Sequence, residues 1–317
     1  MVRKKILVTG GAGYIGTSLI PRLLEEGYEV TVFDNLMYGG NQLLPFFRNI
    51  NFNFVMGDIT IKNQLESVVE DKDIIIHLAA IVGFPACQNN PELATNVNVD
   101  GTKNLIDVSK PEQIILYGST GSNYGKVTSI CTEETPLNPL SLYGETKTEA
   151  EQMLMDRGNT VAYRFATAFG ISSRLRLDLL INDFINKCLR DKYLVVYEKN
   201  YMRTFIHVSD IAESFIFAIN NLDKMIDNVY NVGDDSMNYS KEEICNMVGS
   251  KTGAFIHYEE IGKDADQRNY VVSYDKFKKL GFKIKIGVED GINETVKALE
   301  VVDFQNPYIN VSRGGGT

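Results

Sequence analysis

The chain opens with a short apolar run that leads directly into a glycine-rich turn. Residues 6–8 (Ile-Leu-Val) are typical of a buried strand, and Gly10, Gly13 and Gly16 follow at intervals of three. The first glycine permits a sharp exit from the strand, the second lets a pyrophosphate approach the backbone, and the third lets a helix pack closely on the sheet. The turn therefore predicts the first βαβ unit of a dinucleotide-binding sheet.

An acidic residue follows the second predicted strand, residues 29–33. Asp34 lies roughly 20 residues beyond the glycines, which is the spacing of a carboxylate that binds the adenosine ribose hydroxyls. No Arg or Lys adjoins Asp34 to hold a 2′-phosphate. The sequence therefore favours NAD over NADP as the cofactor.

Composition narrows the class of protein. The 317 residues carry a net charge of −9, which argues against a general nucleic-acid binder and means that an anionic ligand needs local arginines. The four cysteines form no CxxC pair, the three histidines are far apart, and no apolar stretch approaches the length of a membrane span. We expect a cytoplasmic enzyme with no metal, nucleic-acid or membrane partner.

Strand and helix patterns alternate through the first half of the chain. Further strands are predicted at 53–56, 73–80, 113–117 and 160–165, and a long helix at 93–108. This alternation predicts an α/β fold, a Rossmann-type doubly wound parallel sheet with a smaller mixed α/β C-terminal lobe that binds substrate. Ligands of such sheets bind beyond the carboxyl ends of the strands.

After Gly170 the regular alternation of strand and helix patterns ends, and we place the predicted domain boundary there. We assign residues 1–168 to the NAD-binding domain, with 205–233 returning to it. Residues 169–204 and 234–311 form the predicted substrate-binding lobe, and 312–317 a disordered tail.

A tyrosine and a lysine four residues apart form the candidate reaction centre. Tyr143 and Lys147 lie one helical turn apart on one face. A phenol has a pKa of about 10 and becomes a usable base near neutrality only beside a positive charge, which Lys147 can provide. A second such pair, Tyr274 and Lys278, lies in a late lysine-rich region and is interpreted as structural.

A polar turn after the fifth strand completes this centre. Residues 118–125 (Gly-Ser-Thr-Gly-Ser-Asn-Tyr-Gly) include Thr120, whose hydroxyl is predicted to lie near the tyrosine. Such a turn alone is commonly structural, and its catalytic interpretation depends on Tyr143 and Lys147.

Together these motifs resemble those of the extended short-chain dehydrogenase/reductases of the nucleotide-sugar epimerase/dehydratase family. The matching segments occur in family order over nearly the whole chain: 9–16, 34–35, 57–59, 77–80, 98–102, 119–120, 143–147 and 203–210. The resemblance implies Thr120, Tyr143 and Lys147 as catalytic residues, with Lys147 also binding the nicotinamide ribose. It implies a nucleoside diphosphate sugar as substrate and a homodimer as the assembly.

The same resemblance supplies the predicted ligand contacts. Those expected to contact NAD are Gly10, Gly13, Tyr14, Ile15, Gly16, Asp34, Asn35, Asp58, Ile59, Leu78, Ala79, Ala80, Asn98, Gly118, Tyr143, Lys147 and Phe165. Those expected to contact substrate are Thr120, Ser122, Asp178, Asn182, Arg203 and Arg268, with Arg203 holding the diphosphate.

Departures from the family pattern narrow the expected reaction. Sugar 4,6-dehydratases carry an Asp-Glu pair where this chain has Gly121 and Ser122, so water elimination is not expected. Residues 174–184 resemble a subgroup linked to capsule or lipopolysaccharide sugars, which includes 4-epimerases and a GDP-heptose 4-dehydrogenase. We expect NAD-dependent oxidation at C4, with epimerase and dehydrogenase outcomes both open. A 4-ketosugar reductase and a non-catalytic NAD-binding scaffold or sensor are the alternatives.

Overall fold

The computed structural model describes residues 3–261, 269–302 and 310. Apolar, β-branched runs account for most of the strands in this part of the chain. The strands are β1 Lys5–Thr9, β2 Glu29–Asp34, β3 Phe52–Met56, β4 Ile74–His77, β5 Ile114–Thr120, β6 Lys126–Cys131, β7 Thr160–Phe165, β8 Thr167–Phe169, β9 Tyr193–Tyr197, β10 Met202–His207, β11 Asn228–Val232, β12 Asn238–Ser240, β13 Phe255–Glu259 and β14 Asn269–Val272.

The α-helices alternate with these strands, and short 3-10 or π turns join some of them. The helices are α1 Tyr14–Glu25, α2 Lys62–Val69, α3 Phe84–Asn89, α4 Pro91–Thr95, α5 Gly101–Val108, α6 Leu142–Arg157, α7 Leu180–Asp191, α8 Val208–Ile219, α9 Leu222–Met225, α10 Lys241–Thr252, α11 Asp275–Lys278 and α12 Val288–Leu299.

A seven-stranded sheet forms the centre of the molecule. Its order is β3-β2-β1-β4-β5-β7-β11, and every adjacent pair is parallel. The order reverses between β1 and β4, so their carboxyl ends open a crevice where ligands bind in sheets of this type. The predicted fold class is confirmed.

Helices cover both faces of this sheet, which is why its inner strands are almost entirely apolar. On one face, α1 and α8 contribute Leu19 and Phe215 to a fully buried cluster. On the other face, α2, α5 and α6 contribute Leu65, Leu105 and Leu154. The sheet is therefore held rigidly between two hydrophobic layers, with its strand ends left for the site.

A third hydrophobic cluster lies in the C-terminal region. Ile185 of α7, Ile244 of α10 and Ile292 of α12 are fully buried together. Strand β10 lies outside the central sheet and pairs with β8 and β12, whereas β11 joins the central sheet beside β7. The exact domain boundaries stay a prediction, and the predicted tail at 312–317 lies outside the described residues.

The helix predicted over 93–108 is interrupted by a π turn. Helix α4 ends at Thr95, residues Asn96–Asp100 form the π turn, and α5 begins at Gly101. The turn includes Asn98, whose side chain is directed inward to polar partners. A π turn of this kind is common beside functional sites.

The described residues lack the features of two other classes of site. None of the helices described is long and apolar enough to cross a membrane. Within the same residues, His, Cys, Asp and Glu form no group of three or more able to hold a metal ion.

Candidate active site

A cleft of about 350 Å³ runs along the carboxyl ends of the central strands. Most of the residues predicted to bind NAD or substrate line it, because they lie at the carboxyl ends of the strands of one sheet, just beyond them, or on the start of α6 beside them. They are Gly10, Gly13, Tyr14, Ile15, Gly16, Asp34, Asn35, Asp58, Ile59, Leu78, Ala79, Ala80, Gly118, Thr120, Ser122, Tyr143, Lys147 and Phe165.

The glycine turn shapes one end of the cleft through its backbone. Gly10 has φ +70°, and a Cβ there would lie 2.6 Å from the backbone nitrogen of Ala79. A Cβ at Gly16 would lie 2.6 Å from the carbonyl carbon of Gly11. Helix α1 begins after Gly13 with no side-chain cap, so its first amides are available to an anion. This cradle fits a dinucleotide pyrophosphate.

Asp34 ends β2 beside this turn. Its Oδ2 accepts a hydrogen bond from the Ala12 amide at 3.0 Å, and its Oδ1 accepts one from the Leu36 amide at 2.8 Å. Burial raises the pKa of Asp34, although both amide bonds act in the opposite direction. The carboxylate is thereby fixed in position at the adenosine end of the cleft.

Asp58 and Asn35 form a second polar pair at this end. The Asn35 amide donates to Asp58 Oδ2 at 3.0 Å. Burial opposes ionisation of Asp58, but hydrogen bonds from Thr60 and Asn35 outweigh it, and the pKa of Asp58 is lowered. Both side chains therefore present fixed polar groups where an adenine or its ribose would lie.

The candidate reaction centre lies at the start of α6. The Gly144 amide donates to Ser141 Oγ at 3.2 Å, which caps the helix and places Tyr143 in its first turn. Tyr143, Lys147 and Glu151 recur every four residues and share one helix face. Tyr143 and Lys147 line the cleft, whereas Glu151 lies behind it.

Lys147 is almost completely enclosed, with 3% of its surface exposed. Its Nζ lies 4.0 Å from the centre of the Tyr117 ring, a cation–π contact. Burial lowers the pKa of Lys147 to about 7, while the Glu151 carboxylate acts in the opposite direction. The charge of Lys147 is thus sensitive to small changes around it near neutral pH.

Thr120 is the last residue of β5 and lies across the cleft entrance from the helix. Its Oγ1 accepts the Ser122 amide and donates to Ser122 Oγ, both at 3.1 Å. These bonds fix the Thr120 rotamer. The two hydroxyls form a small polar platform at the sheet edge.

A buried ionic network holds α6 against the sheet. Arg164 of β7 donates to Glu151 through Nη2 at 2.6 Å, and Ser119 of β5 donates to the same carboxylate at 2.5 Å. Arg164 also donates to the Tyr124 hydroxyl, which donates to Asn231 of β11. The carboxylate and guanidinium are both deeply buried, so removing either one alone would leave an unpaired charge.

Asn98 does not line the cleft. It is 2% exposed and receives the Ile81 amide at 2.8 Å, while its own amide donates to Ile81 O and to Thr146 Oγ1, both at 3.0 Å. These bonds connect the loop after β4 to α6. Asn98 therefore supports the cleft wall, and its contact with NAD stays a prediction.

Asn182 is fully buried in α7 and also lies off the cleft. Its Oδ1 accepts the Gly170 amide at 3.0 Å, and its Nδ2 donates to the carbonyls of Gly170 and Arg176. Every one of these partners belongs to the segment between β8 and α7. Asn182 therefore shapes that segment.

The remaining predicted substrate residues are not brought together. Asp178 lies behind the cleft in an ion pair with Arg176. Arg203, 1% exposed, lies on β10 outside the cleft lining, and its Nη1 donates to the Met202 carbonyl at 3.0 Å. Arg268 lies outside the described residues. Their substrate roles stay predictions.

Two arginines that were given no role in the sequence interpretation do line the cleft. Arg174 donates to the Leu175 carbonyl and to Asn310 Oδ1, and its guanidinium carbon lies 4.9 Å from the centre of the Tyr38 ring. Arg176 lies next to Gly83, in the loop after β4. The sequence does contain a signal for these two arginines. An acidic chain that binds an anionic ligand needs local arginines, and both closely follow Gly170.

The parallel sheet, the glycine cradle and the carboxylate at the end of β2 define a Rossmann-type dinucleotide-binding protein. The sequence model of the NAD dependent epimerase/dehydratase family matches residues 6–233, and the chain belongs to this family. The predicted family is confirmed, and the cofactor is NAD, as predicted.

Individual relatives extend over nearly the whole chain. It is 29% identical over 303 residues to a putative UDP-glucose 4-epimerase of Methanocaldococcus jannaschii, which covers 92% of this chain and 97% of the relative. The structure of UDP-glucose 4-epimerase from Thermus thermophilus in complex with NAD superposes with a TM-score of 0.81 at 25% identity, covering 94% of this chain and 100% of that one.

A dehydratase is equally similar in structure. The dTDP-glucose 4,6-dehydratase from Bacillus anthracis in complex with NAD gives a TM-score of 0.81 at 27% identity, covering 94% of this chain and 96% of that one. Overall likeness therefore does not distinguish an epimerase from a dehydratase, and the distinction has to come from the side chains of the cleft.

Proposed function

We propose that the protein oxidises C4 of a nucleoside diphosphate sugar with NAD, as a 4-epimerase or a 4-dehydrogenase. The observation that carries this proposal is the distribution of acids in the cleft. Among the described residues that line it, the carboxylates are Asp34 and Asp58, both at the adenosine end. Gly121 and Ser122 follow Thr120, where a 4,6-dehydratase needs an acid and a base. Oxidation without elimination fits this side-chain set.

Each residue of the candidate reaction centre has a separate role in the proposed reaction. Bound NAD supplies the hydride acceptor for carbon 4. Tyr143 accepts the proton of the 4-hydroxyl, and Thr120 hydrogen-bonds the same oxygen. Lys147 binds the nicotinamide ribose, and its positive charge favours the phenolate form of Tyr143.

The protein holds the groups proposed to act on the 4-hydroxyl, Thr120 and Tyr143, in fixed positions. Thr120 is fixed through Ser122, and α6 is fixed through Glu151. Such orientation lowers the entropic cost of reaching the reactive geometry. The residues proposed as cofactor contacts run along the cleft from the glycine turn to Gly118, Tyr143, Lys147 and Phe165, and Asn98 belongs to the same proposed set.

Further parts of the proposal come from the resemblance. They are a role in surface-polysaccharide sugar biosynthesis, a cytoplasmic location, a homodimer and a substrate-binding lobe formed by 169–204 and 234–311.

The test is mass spectrometry of reactions in deuterated water with UDP-, GDP-, CDP- and dTDP-sugars, together with the NAD redox state of the purified protein. A 4-epimerase gives a product that separates from the substrate by liquid chromatography, has the same mass and carries no deuterium on carbon. A 4-dehydrogenase gives a product that has lost two hydrogens and leaves NADH. Deuterium at C3 or C5, or loss of water, contradicts the proposal.

A further inference from the structure

An ion pair forms part of the cleft wall in the segment after β8. Arg176 Nε lies 3.1 Å from Asp178 Oδ1, and Nη2 lies 2.5 Å from Oδ2, so the contact is bidentate. Only 12% of the arginine side chain and 10% of the aspartate side chain are exposed. Arg176 lines the cleft, whereas Asp178 lies behind it.

The pair lies toward the reaction end of the cleft. A Cβ on Gly83, in the loop after β4, would lie 3.6 Å from Arg176 Nη2. Arg176 also interacts electrostatically with the phenols of Tyr143 and Tyr14. A substrate group bound between Tyr143 and the loop that carries Gly83 would therefore lie in the field of this guanidinium.

Asp178 cancels the charge of Arg176 without using all of its donors. A guanidinium has five N–H groups, and the bidentate contact occupies two of them. Burial opposes ionisation of Asp178, but the charge and hydrogen bonds of Arg176 outweigh it and lower the pKa of Asp178. The ligand side of the pair is thus rich in hydrogen-bond donors, and the pair itself carries no net charge.

Hydroxyl groups fit such a surface better than a carboxylate does. A second carboxylate would compete with Asp178 for Arg176 and would lie close to a like charge in a poorly solvated site. Asp178 thus already neutralises, from behind the cleft, the guanidinium that the anionic group of an acidic substrate would need as its partner.

We propose that Asp178 is a resident counter-ion that makes the reaction end select a sugar uncharged at that position over one that carries a carboxylate. This inference rests on the proposed function, because it assumes that the cleft binds a nucleoside diphosphate sugar. It assigns Asp178 and Arg176 jointly as specificity-determining residues.

The test compares dissociation constants for matched neutral and acidic sugars on the NAD-loaded protein. The probes are UDP-glucose with UDP-glucuronic acid, and GDP-mannose with GDP-mannuronic acid, measured by titration calorimetry. The wild type should bind the neutral member of a pair more tightly. Asp178→Asn should shift the acidic-to-neutral preference toward the acidic sugar by at least about tenfold, because Arg176 is then uncompensated.

Two further variants secure the interpretation. Arg176→Gln should shift the preference in the opposite direction, and it tests the inference even if Asp178→Asn does not fold. Asp183→Asn is the matched control, because Asp183 pairs with Lys187 on α7 and lies off the cleft lining. Circular dichroism and NAD content establish that each variant is folded.

Each result of these titrations either supports or overturns the counter-ion inference. A wild type that prefers the acidic sugars, or a folded Asp178→Asn or Arg176→Gln with an unchanged preference, overturns the inference. The expected shifts without turnover of any sugar would refute C4 oxidation yet support the counter-ion. Binding of none of the four sugars counts against both.

Discussion

The two ends of the cleft are built by different means. At the glycine end, backbone determines the shape: Gly10 and Gly16 are in close contact with neighbouring main chain, and amides at the start of α1 provide the donors. In the segment 167–182, side chains determine the shape. Asn182 holds both polar groups of Gly170, and Asp178 holds Arg176.

The difference explains what substitution can do at each end. A glycine acts through the absence of a side chain, so almost any replacement there collides with neighbouring backbone. A side-chain contact can be exchanged for another of similar shape. The glycine end should therefore be intolerant of change, whereas the 167–182 segment should adapt its specificity.

The largest expected effect is at Tyr143, which faces both ends. Tyr143→Phe should reduce turnover by about a thousandfold, because a positioned acid–base group contributes on that order. NAD should stay bound, since the glycine end is untouched. Turnover is measured with the sugar identified by mass spectrometry, and NAD content by absorbance after denaturation.

Tyr274→Phe is the control for this substitution. Tyr274 is buried, precedes Lys278 by the same four residues and does not line the cleft. Its turnover should stay within about twofold of wild type, as expected for a residue outside the site. Wild-type turnover in Tyr143→Phe would remove the assigned role.

Gly16→Ala tests the intolerance of the glycine end. The added methyl group would collide with the backbone of Gly11, and we expect a loss of about 3 kcal/mol in the free energy of unfolding. Urea denaturation measures it. In Gly287→Ala, the nearest new contact would be 3.8 Å away, at Asp290 Oδ2, so the loss should be at most about 1 kcal/mol. Equal losses would contradict the close-packing argument.

Asn182→Leu tests whether the 167–182 segment affects sugar binding separately from NAD binding. Gly170 would lose the partner of its amide and one of the two donors to its carbonyl, which keeps the Tyr14 hydroxyl, and we expect a loss of about 2 kcal/mol in the free energy of unfolding. NAD affinity should change little, while sugar affinity falls. Asn246→Leu on the exposed face of α10 is the control, with a change below about 0.5 kcal/mol. A loss of NAD affinity matching the loss of sugar affinity would show that the two ends are not separable.

The smallest expected effect is on the free energy of unfolding at acid pH, and it involves His77 at the end of β4. His77 bonds to Thr9 and Thr102 hydroxyls, and burial lowers its pKa from 6.5 to about 3. Between these values the unfolded chain binds the extra proton, so stability falls as the pH drops below 6.5. His77 should account for about 1 kcal/mol between pH 7 and pH 5.5.

Denaturation at both pH values measures this contribution by comparing wild type with His77→Gln, which should lack that part of the slope. An unchanged slope in His77→Gln would mean that other groups cause the acid sensitivity.

Sequence alone predicted the parallel sheet because its signals are local. The run 6–8, the glycine spacing and Asp34 each lie within a few residues of the feature they specify. The helix predicted over 93–108 was interrupted by a π turn because Asn98 takes partners at Ile81 and Thr146, far away in sequence. No periodicity within the helix encodes that requirement.

The same reason limits what could be predicted of the site. Tyr143 and Lys147 were found because one helix carries both. Arg176 was not given a role, because only the fold brings it beside Gly83 and the helix that bears Tyr143. Asn182 was expected at the ligand, yet its amide is used to hold Gly170, a contact twelve residues away that depends on how the chain turns.

The shared face of Tyr143, Lys147 and Glu151 also constrains how the gene can change in length. One inserted or deleted residue between them would rotate everything beyond it by about 100° around the helix axis. The proposed base and lysine would then no longer align with the anchor that binds Arg164. Length variation in descendants of this gene should therefore be excluded from codons 143–151 and accumulate outside α6, beyond the turn at Gly158.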